Sequence, residues 1–213
     1  MQLSDNEQVT DAVRQIRRLI AASMDGVTAE KLRQNGAQYV KNYGVALPRL
    51  RQIASQFEPS APLAEALWQA QGRETAIVAL LLTPVQSVSV EQAMQLAQHL
   101  PTAESQMVAA SHLFAKMDDV EQLVQHLAEQ KMLNLVCLIA THAIDRLSEQ
   151  TVLQVVQQVA SNNASQALVE ATITLLMRLG EDSARHDCLK KSVAILRNSQ
   201  NELCQRAAEF LSD

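Results

Sequence analysis

The stretch Tyr43-Gly44-Val45-Ala46-Leu47-Pro48-Arg49-Leu50-Arg51-Gln52-Ile53-Ala54 is where the chain is most informative. Gly44 lets the backbone turn where a side chain would be strained. Pro48 suits the first turn of a helix, where its missing N–H would have no intrahelical partner. Leu50, Ile53, Ala54 and Phe57 then recur at helical spacing, with Arg49 and Arg51 beside them. The pattern predicts an ordered loop docking a short helix, with basic residues around an apolar stripe.

Helical periodicity extends outward in both directions. Val9, Val13, Ile16 and Ile20 fall on one face of a helix predicted from about residue 5 to 23, and Asp11, Arg14 and Arg18 share another side. Met24-Asp25-Gly26 breaks the pattern before a short helical stretch around 28–35 that ends at Asn35-Gly36. Ser60-Ala61-Pro62 with Glu65 opens a helix, Thr83-Pro84 closes one, and Pro101-Thr102 separates two more. Asp118 with Glu121 and Ser199 with Glu202 have capping-box spacing, and Gly180 followed by Asp182 reads as a stop and restart. From Met132 to Leu147, apolar residues occupy nearly every angular position, so that helix is expected to be buried on most sides. Val120, Leu123, Val124 and Leu127 form a simpler stripe, as do Val152, Val155, Val156 and Val159.

The result is an all-α chain of about twelve or thirteen helices whose short connections favour antiparallel neighbours. Pairs of roughly 30 to 45 residues match a HEAT-like or ARM-type solenoid, a right-handed α-α superhelix, although no sequence self-similarity links the pairs. A compact helical bundle is the structural alternative. No low-complexity linker divides the chain, so residues 1–213 are expected to form a single domain.

Composition agrees with this class. Hydrophobic residues make up 47% of the chain and aromatics only 3%, so the core must be aliphatic. Five Gly and five Pro leave too little turn chemistry for a many-stranded β architecture. No stretch of eighteen uncharged apolar residues is present to span a membrane.

The net charge of −5 argues against a chain-wide electrostatic footprint for nucleic acid. The balance is uneven, however: basic side chains outnumber acidic ones in residues 1–58, and the remainder is acidic. Arg14, Arg17, Arg18, Lys41, Arg49, Arg51 and Arg73 are therefore the candidate phosphate contacts. Cys137, Cys188 and Cys204 lack CxxC spacing and read as packing residues in a reducing compartment. The segment Met1–Asp5 lacks the basic and apolar regions of a secretory signal, so a cytoplasmic protein is expected.

No phosphate loop, dinucleotide fingerprint, zincin motif or serine-hydrolase elbow occurs, and no cofactor is expected. His99, His112, His126, His142 and His186 are scattered without ligand spacing, so no metal site is expected. Asp118-Asp119-Glu121 reads as a capped helix start rather than an acid/base site. Trp68 lies at core spacing with Leu63, Ala64 and Leu67 and is read as packing.

The segment Tyr43 to Ala54 resembles the AlkD-type DNA alkylation repair family, whose members carry a similar "YGV-x-x-P-x-L-R-x-I-A" element. Leu63, Ala64, Leu67, Trp68, Arg73-Glu74 and the run Ala76 to Leu82 continue the likeness, which covers roughly residues 39–83. The resemblance implies a HEAT-like helical solenoid with a concave basic surface for duplex DNA. It also implies relatives that excise N-alkylated purines with the help of tryptophans, a carboxylate and a basic residue. Such groups suit the chemistry, because an aromatic face and a negative charge both stabilise developing positive charge, while Arg holds phosphate.

The chain departs from that pattern where the chemistry would lie. No Trp follows Trp68, and Thr102-Ala103-Glu104-Ser105-Gln106-Met107-Val108-Ala109-Ala110, in the corresponding region around 99–115, contains no Asp. Where active relatives show an Arg in the next buried helix, this chain reads Asn134-Leu135-Val136-Cys137-Leu138. Glu104 is the one conceivable replacement acid, but a first-turn Glu favouring the helix dipole explains it more simply. The expectation is a noncatalytic binding module for DNA or another macromolecule, with no catalytic residue assigned. The alternatives are an active alkylpurine DNA glycosylase with substituted residues and a protein-interaction scaffold without DNA contact.

Overall fold

A computed structural model describes residues 5–34, 39–161 and 163–212, and among these residues thirteen α-helices and no β-strand are present. The chain gathers into two compact units. The first holds the described residues up to Ser89 together with His99–Leu113; the second holds Val90–Gln98 and the residues from Phe114 onward.

The first unit is built round one helix. In order it contains α1 (Asp5–Ala22), α2 (Gly26–Gln34), α3 (Leu47–Ala54), α4 (Ala61–Trp68), α5 (Arg73–Leu82) and α7 (Ala103–Val108). Every residue of α5 is buried, including Arg73 and Glu74 at its head. It is this enclosed because α3, α4 and α7 all pack on it; most of the 132–142 stretch is buried as well, as expected. Helix α1 turns Ile16 and Ile20 inward against α3 and α4. Pro48 and Pro62 occupy the first turns of α3 and α4, and α5 stops at Thr83 before Pro84. Helix α7 is capped by Thr102, which accepts from the Ser105 backbone, and runs on into a π-helical turn, Ala109–Leu113. The expected end of α2 at Asn35-Gly36 lies outside the described residues.

The second unit contains α6 (Val90–Gln98), α8 (Val120–Glu129), α9 (Leu133–His142), α10 (Glu149–Ser161), α11 (Gln166–Gly180), α12 (His186–Arg197) and α13 (Glu202–Phe210). Helix α9 packs on α11, while α6, α8, α10 and α12 pack in succession. The three cysteines are buried free thiols within these helices.

A repeat becomes visible in the connections. Short 3-10 turns, Val85–Ser87, Phe114–Lys116, Ile144–Arg146 and Ser183–Arg185, separate α5 from α6, the α7 segment from α8, α9 from α10, and α11 from α12. Their starts are about 30 residues apart for the first three and about 40 for the last, within the range of helical repeats. Within the second unit, basic side chains fasten one turn to the preceding one. Arg146 Nη1 donates to the Ala115 carbonyl at 2.9 Å, and Arg185 donates to the carbonyls of Ile144 and Leu147. Backbone acceptors have no side-chain identity, so the partners of this repeated joint leave no motif.

Three local expectations are corrected. The 132–147 segment is not one helix: α9 ends at His142, and a 3-10 turn follows Ala143. The Asp118/Glu121 pair does not form a capping box. Helix α8 begins after Asp119 without a side-chain cap, and Glu121 instead accepts from Ser148 and Thr151 at the head of α10. At α13 the capping residue is Asn201, which accepts from the Leu203 backbone, while Ser199 donates to the Ala160 carbonyl.

Candidate nucleic-acid interface

The site lies in the first unit and begins with the loop around Gly44. Gly44 has φ +73°, and a Cβ there would collide with the Asp25 carbonyl oxygen and the Ala29 backbone nitrogen. The loop fits so closely because Tyr43 carbonyl accepts from the Asp25 backbone, and Asn42 donates to the Ala29 carbonyl. Asp25 in turn accepts from Val27 and Thr28 at the start of α2. The backbone and hydroxyl donors of Thr28 hold its carboxyl below the usual carboxylate range.

On its other side the loop is held by the charged head of α5. Glu74 Oε1 accepts from the backbone N–H groups of Tyr43 and Val45, at 3.1 and 3.3 Å, and from Arg73 at 2.8 Å. Arg73 also donates to the Val45 carbonyl, and its backbone N–H donates to the Lys41 carbonyl. The remaining edge of its guanidinium meets Glu104 on α7 through two bonds, Nε to Oε2 at 2.8 Å and Nη2 to Oε1 at 2.6 Å. Burial would lower the Arg73 pKa, but the bonds and charges of Glu104 and then Glu74 raise it above its ordinary value. Two acids and one base are thus tied together beneath the loop.

This network corrects two assignments. Arg73, a candidate phosphate contact by sequence, is only 3% exposed, and its three guanidinium nitrogens all donate to protein acceptors. Glu104 does lie in the first turn of α7, but its principal partner is Arg73, which occupies both carboxylate oxygens. The pairing was legible only as a charged dipeptide, Arg73-Glu74, heading an otherwise apolar helix; nothing in the spacing pointed to Glu104, thirty-one residues away.

The other six candidates reach the surface to different degrees. Arg14, Arg17 and Arg18 are exposed on α1 and lie within an arc of about 100° on the helix. Arg14 pairs with Asp11 at 2.9 Å, an exposed i,i+3 contact of small energy. Arg17 and Lys41 come together at a narrow cleft whose wall includes Tyr43, Gly72 and Glu74. Arg51 is exposed on α3, whereas Arg49 is half-buried and donates to Ser23 Oγ and Gln52. Among the described residues, Arg17, Arg18, Lys41 and Arg51 form no ion pair. Trp68 is half-buried beside Leu67 on α4. No group of three or more His, Cys, Asp or Glu is placed to hold a metal ion among the described residues, and no helix there is long and apolar enough to cross a membrane.

The whole-chain comparison identifies the fold. A solved structure described as "a new family of proteins related to the HEAT-like repeat DNA glycosylases with affinity for branched DNA structures" superposes with a TM-score of 0.72 at 14% identity, covering 93% of each chain. The all-α HEAT-like repeat fold expected from the loop and helix pattern is therefore the fold found. No curated protein matches the chain. The sequence profile of the DNA alkylation repair enzyme family matches residues 16–131, which take in α1 from Ile16 onward, the Gly44 loop, the Arg73-Glu74-Glu104 network and α8. With more than half of its length matched, the chain belongs to the DNA alkylation repair enzyme family.

Proposed function

We propose that this member of the family is a noncatalytic DNA-binding protein that engages the phosphate backbone through α1, α3 and Lys41. The observation that carries this reading is the division of labour among charges in the first unit. Glu104 spends both carboxylate oxygens on Arg73, leaving it without the free acid a substituted glycosylase site would need, while Arg17, Arg18, Lys41 and Arg51 stand exposed without acidic partners. Duplex and branched DNA are both ligands to examine, since a structural relative is described as having affinity for branched DNA. A cytoplasmic setting suits the buried free thiols.

Fluorescence anisotropy with a labelled linear duplex and a labelled four-way junction tests the reading. Affinity is expected to fall steeply with salt, and neutralising Arg17, Arg18 and Arg51 is expected to flatten the log–log salt slope by about 0.9 per lost phosphate contact. Incubation with methylated duplex is expected to release no alkylpurine above the spontaneous rate. Release that disappears in a Glu104→Gln variant would overturn the noncatalytic reading. Absence of binding at low salt, or binding unchanged by the three substitutions, would overturn the assigned interface.

A further inference from the structure

Helices α6, α8 and α10 of the second unit contain no lysine, no arginine and no aromatic residue. Their solvent side is rich in carboxamides, including exposed Gln98, Gln122, Gln125, Gln154 and Gln157. The helices are neighbours, so these side chains form a continuous surface rather than isolated positions. Gln98 donates to Gln130 across this surface at 3.2 Å, and Gln125 donates to Thr151 at 3.0 Å.

Two clefts cut into the same layer. One, of about 540 Å³, lies between α8 and α10, and the other, of about 670 Å³, lies between α10, α12 and the start of α13. Gln157 lines both, so they meet at its side chain. Each falls in the size range of a binding cleft. Glu129 is the only charged side chain lining either of them, and neither wall holds a cation.

We propose that this amide-lined furrow receives an extended, neutral-to-basic segment of a protein partner. A carboxamide presents an N–H donor beside a carbonyl acceptor, the same pair that a peptide unit presents, so a row of carboxamides satisfies an extended backbone without charge. Glu129 favours a basic side chain at one end. Nucleic acid fits the furrow poorly, because phosphates require cations and unpaired bases require aromatic platforms, and both are missing from these walls. Neighbouring helix axes lie about 8–10 Å apart, so the path from α8 to α12 is about 16–20 Å, the length of roughly six extended residues.

Panning a phage-displayed random dodecapeptide library on the full chain supplies the probe. Selected peptides, labelled and measured by anisotropy, are expected to bind the wild-type chain and to lose at least tenfold in affinity against a Gln154→Ala/Gln157→Ala variant. Both positions are exposed, and an unchanged thermal melt of the variant separates lost contact from lost folding. The Arg17, Arg18 and Arg51 substitutions that test DNA binding are expected to leave peptide binding unchanged, so either property can fail without the other. Failure to enrich any peptide, or equal binding to the double variant, overturns the proposal. So does loss of duplex affinity in the double variant, which would assign the furrow to nucleic acid. Sedimentation that shows a dimer abolished by the same substitutions would assign it to a second copy and overturn the proposal as well.

Discussion

Replacing Arg73 by Ala separates a structural cation from a DNA-binding one. The substitution removes two bonds to Glu104, one to Glu74 and one to the Val45 carbonyl. Glu74 is fully buried, so its carboxylate would lose its only ion-pair partner in a site water does not reach. Breaking a buried pair from one side costs about 3–5 kcal/mol, chiefly through the charge left behind. The exposed edge of Glu104 can rehydrate, which places the expected cost toward the lower part of that range. For a chain of this size, each kcal/mol shifts the melting temperature by about 2–4 °C, so the expected fall is roughly 6–15 °C. Urea unfolding followed by circular dichroism measures the loss, with Arg18→Ala as an exposed control expected to stay within about 0.5 kcal/mol. Arg73→Lys should recover little, because a single ammonium cannot reproduce the two parallel bonds to Glu104. Anisotropy at a temperature where Arg73→Ala remains folded should give an unchanged salt slope, since the guanidinium faces protein and not solvent. A loss below about 1 kcal/mol, or a flatter salt slope in the folded variant, would refute the assignment of Arg73 as an internal tie.

Further outcomes follow from the same contacts. Gly44→Ala adds both a strained positive φ and a collision with the Asp25 carbonyl, and is expected to cost at least about 2 kcal/mol by urea titration; an unperturbed midpoint would contradict the docked loop. Glu121 is held below its ordinary 4.5 by the Ser148 hydroxyl, with help from Thr151. Its contribution is therefore full above that ordinary value and lost as pH falls through the lowered one, so the stability gap between wild type and Glu121→Gln should be open at pH 7 and narrow as pH falls below the ordinary 4.5. Burial pushes the Cys137 thiol up to about 11, even though the Thr172 hydroxyl draws it down, and burial also raises Cys188 and Cys204. Ellman's reagent should accordingly find no fast-reacting thiol at pH 8 in the native protein and all three in denaturant.

The helical class was legible because it depends on spacing that any aliphatic residue can satisfy: Ile16 and Ile20 on α1, and Val120, Leu123, Val124 and Leu127 on α8, all turn inward. Gly44 and Pro48 were equally legible, since few other residues tolerate those backbone positions. Caps were less so. Asp118, Ser199 and their acidic followers had the right spacing, yet tertiary partners claimed Glu121 and Ser199. The repeat's period was legible from the helix spacing, but no self-similarity marked it, because its joints rest on backbone carbonyls, which any residue supplies. Exposed Arg17, Arg18 and Arg51 could be named from local charge, but Arg73 looked the same in sequence. Only the approach of α7, carrying Glu104, distinguishes a cation held inside from one offered to solvent.

The arginine-fastened 3-10 turns also determine where this fold can grow. Helices α10 and α11 have 13 and 15 residues, whereas α8 and α9 have 10 each. Arg146 and Arg185 anchor the lengthened pair at its turns, so the added residues project the opposite end, the connection from α10 to α11, by roughly one helical turn or about 5 Å. Ser161 at the end of α10 and Asn163 in that connection line the larger cleft. Insertions shared between two antiparallel helices would therefore deepen a binding edge while the anchored end keeps its register, giving such a chain a way to change what it holds without relearning how to fold.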